Sequence, residues 1–145
     1  MRLVITRVLE AAVVVDDEVV AELPRPGLLV LAGVGRGEGP DDVSRAAGKI
    51  CKLRILDGAQ SVVQAAAPVL VVSQFTLFAS TRKGGVPSWS RAAPAREAEP
   101  LVEALCRELE SMGVEVHRGR FGAHMRVASV NDGPVTIWID TANPD

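Results

Sequence analysis

The run Val69-Leu70-Val71-Val72-Ser73-Gln74-Phe75-Thr76-Leu77-Phe78 is the most strand-like stretch of the chain. Four aliphatic residues carry it into a core, and β-branched side chains suit a pleated, buried surface. The pattern predicts a buried strand over Val69–Phe78. Three polar side chains then interrupt it: Ser73, Gln74 and Thr76. An unpartnered buried hydroxyl or amide costs about 1–3 kcal/mol, so these groups either leave the core or have a task within it. Both readings stay open on this stretch alone.

Working outward, Arg2–Val15 is β-branched and apolar, and Val19–Leu23 follows Asp16-Asp17-Glu18, which reads as a hairpin. Pro24-Arg25-Pro26-Gly27 is a turn before a short buried strand, Leu28–Gly33. Gly33, Gly35, Gly37 and Gly39 lead to a helix opening near Asp41-Asp42, whose carboxylates suit a first turn. Val43, Ala46, Ala47, Ile50 and Cys51 recur at helical spacing. Leu53–Leu56 is expected as an edge strand before Asp57-Gly58, and Ala79–Pro94 as a long loop. A second helix carries Leu101, Leu105, Leu109 and Met112 and stops at Gly113. Pro100 fits only its first turn, so residues 94–99 read as either helix or loop. Val114–His117, Met125–Val130 and Val135–Ile139 supply further strands. The expectation is one α+β domain over residues 1–145, a mostly antiparallel sheet or partial barrel of about seven or eight strands with two main helices.

The chain's 145 residues fit one domain, and 48% of them are hydrophobic, enough for a core. The formal charge is -2 and only Phe75, Phe78, Trp89, Phe121 and Trp138 are aromatic, which argues against a broad basic surface that stacks many bases. Cys51 and Cys106 sit in helix-like stretches and read as free thiols of a reducing compartment. No stretch approaches the roughly 20 apolar residues of a membrane span, so a cytoplasmic protein without a membrane partner is expected.

Charge is unevenly spread. Residues 58–96 hold Arg82, Lys83, Arg91 and Arg96 and no acidic side chain. That window contains the polar-interrupted strand and the loop after it, and reads either as a solvated loop or as a phosphate-facing patch. Asn131-Asp132-Gly133-Pro134-Val135-Thr136 reads as a hairpin turn. A proline right after the turn glycine suits a following strand poorly, however, and marks a Gly-Pro bond that could be cis. Gly119-Arg120-Phe121-Gly122-Ala123-His124-Met125 sets an aromatic between glycines, as a flat pocket for a planar ring would. His117 and His124 have no metal-ligand spacing, and no nucleophile elbow, Walker loop or dinucleotide fingerprint occurs.

Over about residues 1–141 the sequence resembles the bacterial D-aminoacyl-tRNA deacylases. Their two signature segments, Ser-Gln-Phe-Thr-Leu and Asn-X-Gly-Pro-Val-Thr, stand intact as Ser73–Leu77 and Asn131–Thr136. Gly27-Leu28-Leu29-Val30, Lys83-Gly84 with Pro87-Ser88, and Gly119–Ala123 also fit. The chain departs from the family's pattern in a shortened Leu56–Gln60 turn, in His124 and Arg126, in Trp89 where Phe is usual, and in Pro100.

The resemblance implies a homodimer with its active sites at the interface and no cofactor or metal. The partner is the aminoacylated 3′-terminal adenosine of tRNA, whose ester is hydrolysed when the amino acid is D or, on the wrong tRNA, glycine. It implies that Ser73 and Gln74, with Phe75 and Thr76, line the site, and that Phe121, Gly122 and Met125 help receive the adenine. It implies that Asn131 and Val135 also bind substrate, on either side of Gly133 and Pro134, a Gly-cis-Pro element that crosses into the partner's pocket and excludes L side chains. Catalysis has two readings within that resemblance. Thr136 or Thr76 acts as a nucleophile, or the terminal ribose 2′-OH assists water while N–H groups near Phe75 and Thr76 steady the oxyanion. The absence of an evident base favours the second. A non-catalytic RNA-binding dimer and, behind it, a metal-dependent hydrolase are the competing classes.

Overall fold

The computed structural model describes residues 1–145. Its organising element is β1 (Arg2–Val15), long enough to take partners on both edges along its length. On one edge its first half pairs antiparallel with β3 (Gly27–Gly33) and its second half with β2 (Glu18–Glu22). Its other edge pairs antiparallel with β6 (Arg126–Asp140) from end to end. Beyond β3 the sheet continues through β4 (Val69–Ser73) and β5 (Val116–Arg118), both parallel to their neighbour. β2 comes close to β5, so the sheet is curled almost shut.

Side-chain alternation on the central strands sorts the core into two parts. Leu28, Val30, Ala32, Val69 and Val71 face the helices, while Leu29, Leu70 and Val72 face the inside of the curl with Val8, Ala11, Val13 and Leu23. Because both faces are covered, β3 and the start of β4 are continuous apolar runs. The helical layer consists of α1 (Pro40–Lys52), the one-turn α2 (Val62–Ala65) and α3 (Ala95–Ser111). Val43, Ala46, Ala47 and Ile50 of α1 meet Leu105, Cys106 and Leu109 of α3 over the sheet. Each fully buried leucine there contributes about 1.5–3 kcal/mol.

The α+β class in one domain is as expected from the sequence, and most of the pairing is antiparallel, with β3–β4 and β4–β5 parallel; the sheet has six strands, not seven or eight. Three local differences account for this. Leu53–Leu56 forms no strand, only an isolated bridge from Leu56 to Gln60. β4 stops at Ser73, and Phe75–Phe78 is a 3₁₀ turn. The two expected C-terminal strands are one strand, β6, which runs straight through Asn131–Thr136. That segment is a bulge, not a hairpin: Thr6 pairs with Thr136 and Val8 with Asn131, so Asp132–Val135 all lie opposite Arg7.

The helices differ too. α2 is an extra helix whose N-terminus is a Ser61-X-X-Gln64 capping box, with the Ser61 hydroxyl accepting from the Gln64 N–H and the Gln64 side chain accepting from the Ser61 N–H. α3 begins at Ala95, so residues 95–99 are helical and Pro100 lies in the second turn. It removes one backbone hydrogen bond there, while Ala98 on the preceding turn is buried against the core. Both cysteines are free thiols; Cys106 is buried and Cys51 half-buried.

Candidate functional site

The polar interruption of β4 is where the chain leaves the sheet. Ser73 still pairs with Ala32, and the Gln74 N–H donates to the Ala32 carbonyl at 2.8 Å. The backbone then coils into the 3₁₀ turn, closed by the Leu77 N–H on the Gln74 carbonyl at 3.2 Å. The first two N–H groups of that turn, those of Phe75 and Thr76, have no acceptor inside it. The turn lies against the end of β3 because two glycines let it. A Cβ on Gly33 would stand 2.8 Å from the Gln74 carbonyl oxygen, and one on Gly35 2.6 Å from the Phe78 ring.

Beside the turn lies a mostly apolar cleft of about 450 Å³, within the usual range for a small-molecule site. Ser73, Gln74 and Phe75 form one wall, Phe121 and Gly122 another, and Trp89 and Val102 also line it. The Phe75 and Trp89 rings meet edge to face, with centroids 5.3 Å apart at 78°. Phe75 remains 55% exposed, an unusual state for a phenylalanine and one that leaves a ring face at the cleft mouth. The loop after the turn is tied down: Ser80 and Ser88 exchange hydrogen bonds, the Ala93 N–H donates to the Val34 carbonyl at 2.9 Å, and the Arg36 guanidinium donates to the Ser90 carbonyl at 2.7 Å.

Five of the residues singled out in the sequence, Ser73, Gln74, Phe75, Phe121 and Gly122, therefore line one cleft. Thr76 belongs to the adjoining turn, and its hydroxyl accepts from the Gln74 side-chain amide. Met125 lies elsewhere: it packs on the Leu70–Val72 cluster inside the curl, close to Gly119. Asn131, Gly133, Pro134, Val135 and Thr136 are all in the β6 bulge and none lines the cleft. Sequence reasoning missed the Ala92–Pro94 segment and Arg36, which reach the cleft through the isolated Gly35–Ala92 bridge. A single bridge leaves no periodic signal.

The bulge is held by its own side chains and by Arg7. Asn131 accepts from the Val135 N–H and donates to the Thr136 hydroxyl, both at 3.1 Å. Arg7 donates to the Asp132 carbonyl at 3.0 Å and to the Ile55 carbonyl at 2.9 Å, which ties the bulge to the Leu53–Gln60 turn. Gly133 has φ +123°, a conformation that L side chains rarely adopt, and the Gly133–Pro134 peptide is cis. The far edge of β6 has no strand partner in this chain, and Val127, Val130 and Trp138 are exposed along it.

Arg36 is the one titratable side chain in the cleft lining, and no histidine, cysteine or carboxylate lines it. His117 is hydrogen-bonded to Glu115 at 2.7 Å on β5, and that contact holds the Glu115 carboxyl below its usual range. His124 is exposed and outside the cleft lining. Burial pushes the Cys106 thiol up to about 11. Asp140 is pulled upward by burial, yet hydrogen bonds from the Ala142 N–H, Asn143 and Arg2 outweigh that and leave it below the ordinary aspartate value. The cleft thus offers apolar walls, amide and hydroxyl groups, and backbone donors, without a side-chain base.

Fold and cleft together define a small α+β protein with a mostly apolar cleft beside a 3₁₀ turn whose leading N–H groups have no acceptor within it. The chain belongs to the D-Tyr-tRNA(Tyr) deacylase family, whose profile matches residues 4–140. It is 51% identical over 145 residues to a D-aminoacyl-tRNA deacylase of Kocuria rhizophila, covering 100% of this chain and 97% of that protein. It is 50% identical over 143 residues to the one from Corynebacterium glutamicum, covering 97% and 99%. Among solved structures it is similar to a c-Myc DNA unwinding element binding protein, with TM-score 0.88 and 31% identity over 97% of this chain and 98% of that one. A probable eukaryotic D-amino acid tRNA deacylase shares the fold at TM-score 0.80 and 16% identity, over 95% and 97%.

Proposed function

We propose that this protein hydrolyses the ester linking a D-amino acid to the 3′-terminal adenosine of tRNA, and acts on misplaced glycyl-tRNA in the same way. The observation that carries the reading is the placement of Ser73–Leu77. The family's signature segment forms both the wall of a ring-sized cleft and a turn whose leading N–H groups, on Phe75 and Thr76, have no acceptor within it. An aminoacyl ester is already reactive, so positioning it and offering its carbonyl oxygen two donors lowers the barrier substantially; a single such donor is worth about 10²–10³ in rate. The proton acceptor is supplied from the substrate side, by the terminal ribose 2′-OH with water.

The working unit in this reading is a homodimer. Gly133 and Pro134 of one copy enter the cleft of the other, where the backbone leaves room for hydrogen or a D side chain and blocks an L one. The support is the separation of the two signature segments within a chain, together with the unpaired, partly apolar outer edge of β6. No helix is long and apolar enough to cross a membrane, and the substrate places the activity in the cytoplasm.

Deacylation of D-aminoacyl-, L-aminoacyl- and glycyl-tRNA, measured side by side, tests the proposal. Fast release from the D and glycyl substrates and slow release from the L substrate are expected. Equal rates for the two enantiomers would overturn it. Salt-sensitive binding of charged tRNA without any acceleration would favour the RNA-sheltering dimer instead.

A further inference from the structure

A second cavity, of about 540 Å³, abuts the cleft, and the two share Ser73, Val102 and Phe121 as their common wall. The first is mostly apolar. The second is the charged one, and carries Arg96, Arg118, Arg120, Glu99 and Glu103. These charges are not equivalent. Arg118 is committed to Glu103 at 3.0 and 3.1 Å and also to Glu110, which holds its pKa above the ordinary arginine value. The nearest carboxylate to Arg96 is that of the adjacent Glu97 at 4.0 Å, and Arg120 forms no ion pair at all. With Arg118 and Glu103 offsetting each other, two free guanidinium groups and the Glu99 carboxylate remain.

We propose that this cavity is the subsite for the phosphodiester on the 5′ side of the terminal adenosine, with Arg96 and Arg120 as its two ligands. The proposal rests on the reading of the cleft as the seat of the aminoacyl-adenosine. A nucleoside held there must lead its 5′ oxygen, and the chain attached to it, out past one wall. The Phe121 wall opens onto the cavity with the two free arginines. A guanidinium presents a planar fork of donors matched to phosphate oxygens. Glu99 opposes the anion and sets the affinity lower than two arginines alone would give. A short single-stranded end then needs only two charged contacts, consistent with a protein of net charge -2.

Two measurements test this. The first compares D-aminoacyl-tRNA with 3′-O-D-aminoacyl-adenosine, which has no phosphate. In an Arg96→Ala/Arg120→Ala variant the preference for the tRNA substrate in kcat/KM should fall about tenfold, through KM, relative to the parent. The salt slope of RNA binding should fall by about 0.7 for each arginine. The second is binding of an uncharged RNA hairpin with a CCA end, measured by fluorescence anisotropy. Glu99→Gln should tighten it about two- to threefold, a gain that misfolding does not imitate. Loss of the same factor on both substrates, or hairpin binding indifferent to both arginines and to Glu99, would overturn the subsite. A protein that binds the hairpin through these arginines but deacylates nothing would sink the hydrolase reading and leave the subsite standing.

Discussion

β4 and β6 are each interrupted by a short polar segment, and they resolve the interruption in opposite ways. β4 is central, buried on both faces, and ends where its polar residues begin; the chain coils away and builds a cleft within its own subunit. β6 is at the sheet edge and does not end. It bulges, with four residues opposite Arg7, and continues to Asp140, and Gly133 and Pro134 lie outside the lining of that cleft. The difference teaches how the labour is divided. A central strand has neighbours on both sides and can position backbone donors rigidly. An edge strand with a free side can offer its irregular backbone to another molecule.

If the two segments meet only across an interface, they must behave as separate complementation groups. Phe75→Pro removes a backbone donor at the first position of the 3₁₀ turn, after a residue (Gln74, φ -145°, ψ 81°) that lies outside the helical region, and should cost about 10²–10³ in kcat. Gly133→Ala places a side chain at φ +123° and a Cβ 2.5 Å from the Arg7 guanidinium, and should cause a comparable loss by displacing the bulge. Each variant alone is then nearly inactive. Mixed one to one and allowed to exchange subunits, they should recover about a quarter of parental activity, because half the dimers are mixed and each holds one intact site. No recovery, with subunit exchange shown by mass spectrometry, would place both segments in the same chain's site and break the comparison.

Arg7 sharpens the assignment at the next level of effect. Its two charge-assisted hydrogen bonds, to the Asp132 and Ile55 carbonyls, are of a kind worth about 1.5–3 kcal/mol. Arg7→Met should therefore lower unfolding free energy in urea by about that amount for the pair and reduce turnover through the bulge alone. Mixing it with Phe75→Pro should restore activity, whereas mixing it with Gly133→Ala should not. Recovery in both mixtures would mean that Arg7 serves neither segment.

The same contrast explains what could be read in the sequence. Elements held by periodic burial, such as β1, β3, α1 and the core of α3, follow directly from apolar spacing. The polar interruption at Ser73–Thr76 and the ring between glycines at Phe121-Gly122 were legible as local signals, whereas their meeting in one cleft was not. Nor was the β6 bulge. Asn131-Asp132-Gly133-Pro134 has the composition of a hairpin turn, and only pairing with β1 on both sides of it keeps the strand continuous. The 3₁₀ turn replaced a strand for a similar reason: Gly33 and Gly35, some forty residues away, make the room that lets Phe78 fold back. Such non-local packing leaves no period in the segment it shapes.

A smaller effect appears with pH, at Asp42 in the first turn of α1 and at Asp140 at the end of β6. Asp42 and Asp140 both lie below the ordinary aspartate value of 3.8. For each, burial pulls upward and is outweighed by hydrogen bonds, from the Gly39 N–H and Thr141 hydroxyl to Asp42 and from the Ala142 N–H, Asn143 and Arg2 to Asp140. A carboxyl whose pKa is depressed by folding binds fewer protons in the native state, so its contribution is complete above pH 3.8 and is lost as pH falls below it through the folded value. Thermal melts should be flat in this respect from pH 7 to about 5 and decline further down. Asp140→Asn should lower stability at pH 7 and flatten the acid limb; an unaltered limb would remove Asp140 from the account.

The smallest expected effect decides the chemistry. Thr76 and Thr136 are the threonines of the two signature segments, and each accepts a hydrogen bond from a neighbouring amide, Gln74 and Asn131 respectively. An amide donor stabilises a hydroxyl oxygen in place but takes no proton from it, and His117 is engaged with Glu115 on another strand. Neither threonine has the base that a nucleophilic hydroxyl requires. Thr76→Ala and Thr136→Ala should accordingly keep single-turnover deacylation within about tenfold of the parent, against the 10²–10³ expected from loss of a backbone donor. If the substrate's own 2′-OH supplies the assistance, a D-aminoacyl-tRNA ending in 2′-deoxyadenosine should be turned over far more slowly by the parent than either threonine variant turns over the normal substrate. An aminoacyl-enzyme trapped on Thr76 or Thr136 by acid quench would reverse the assignment. It would also make that residue's segment, rather than the backbone of the β4 turn, the centre of the reaction.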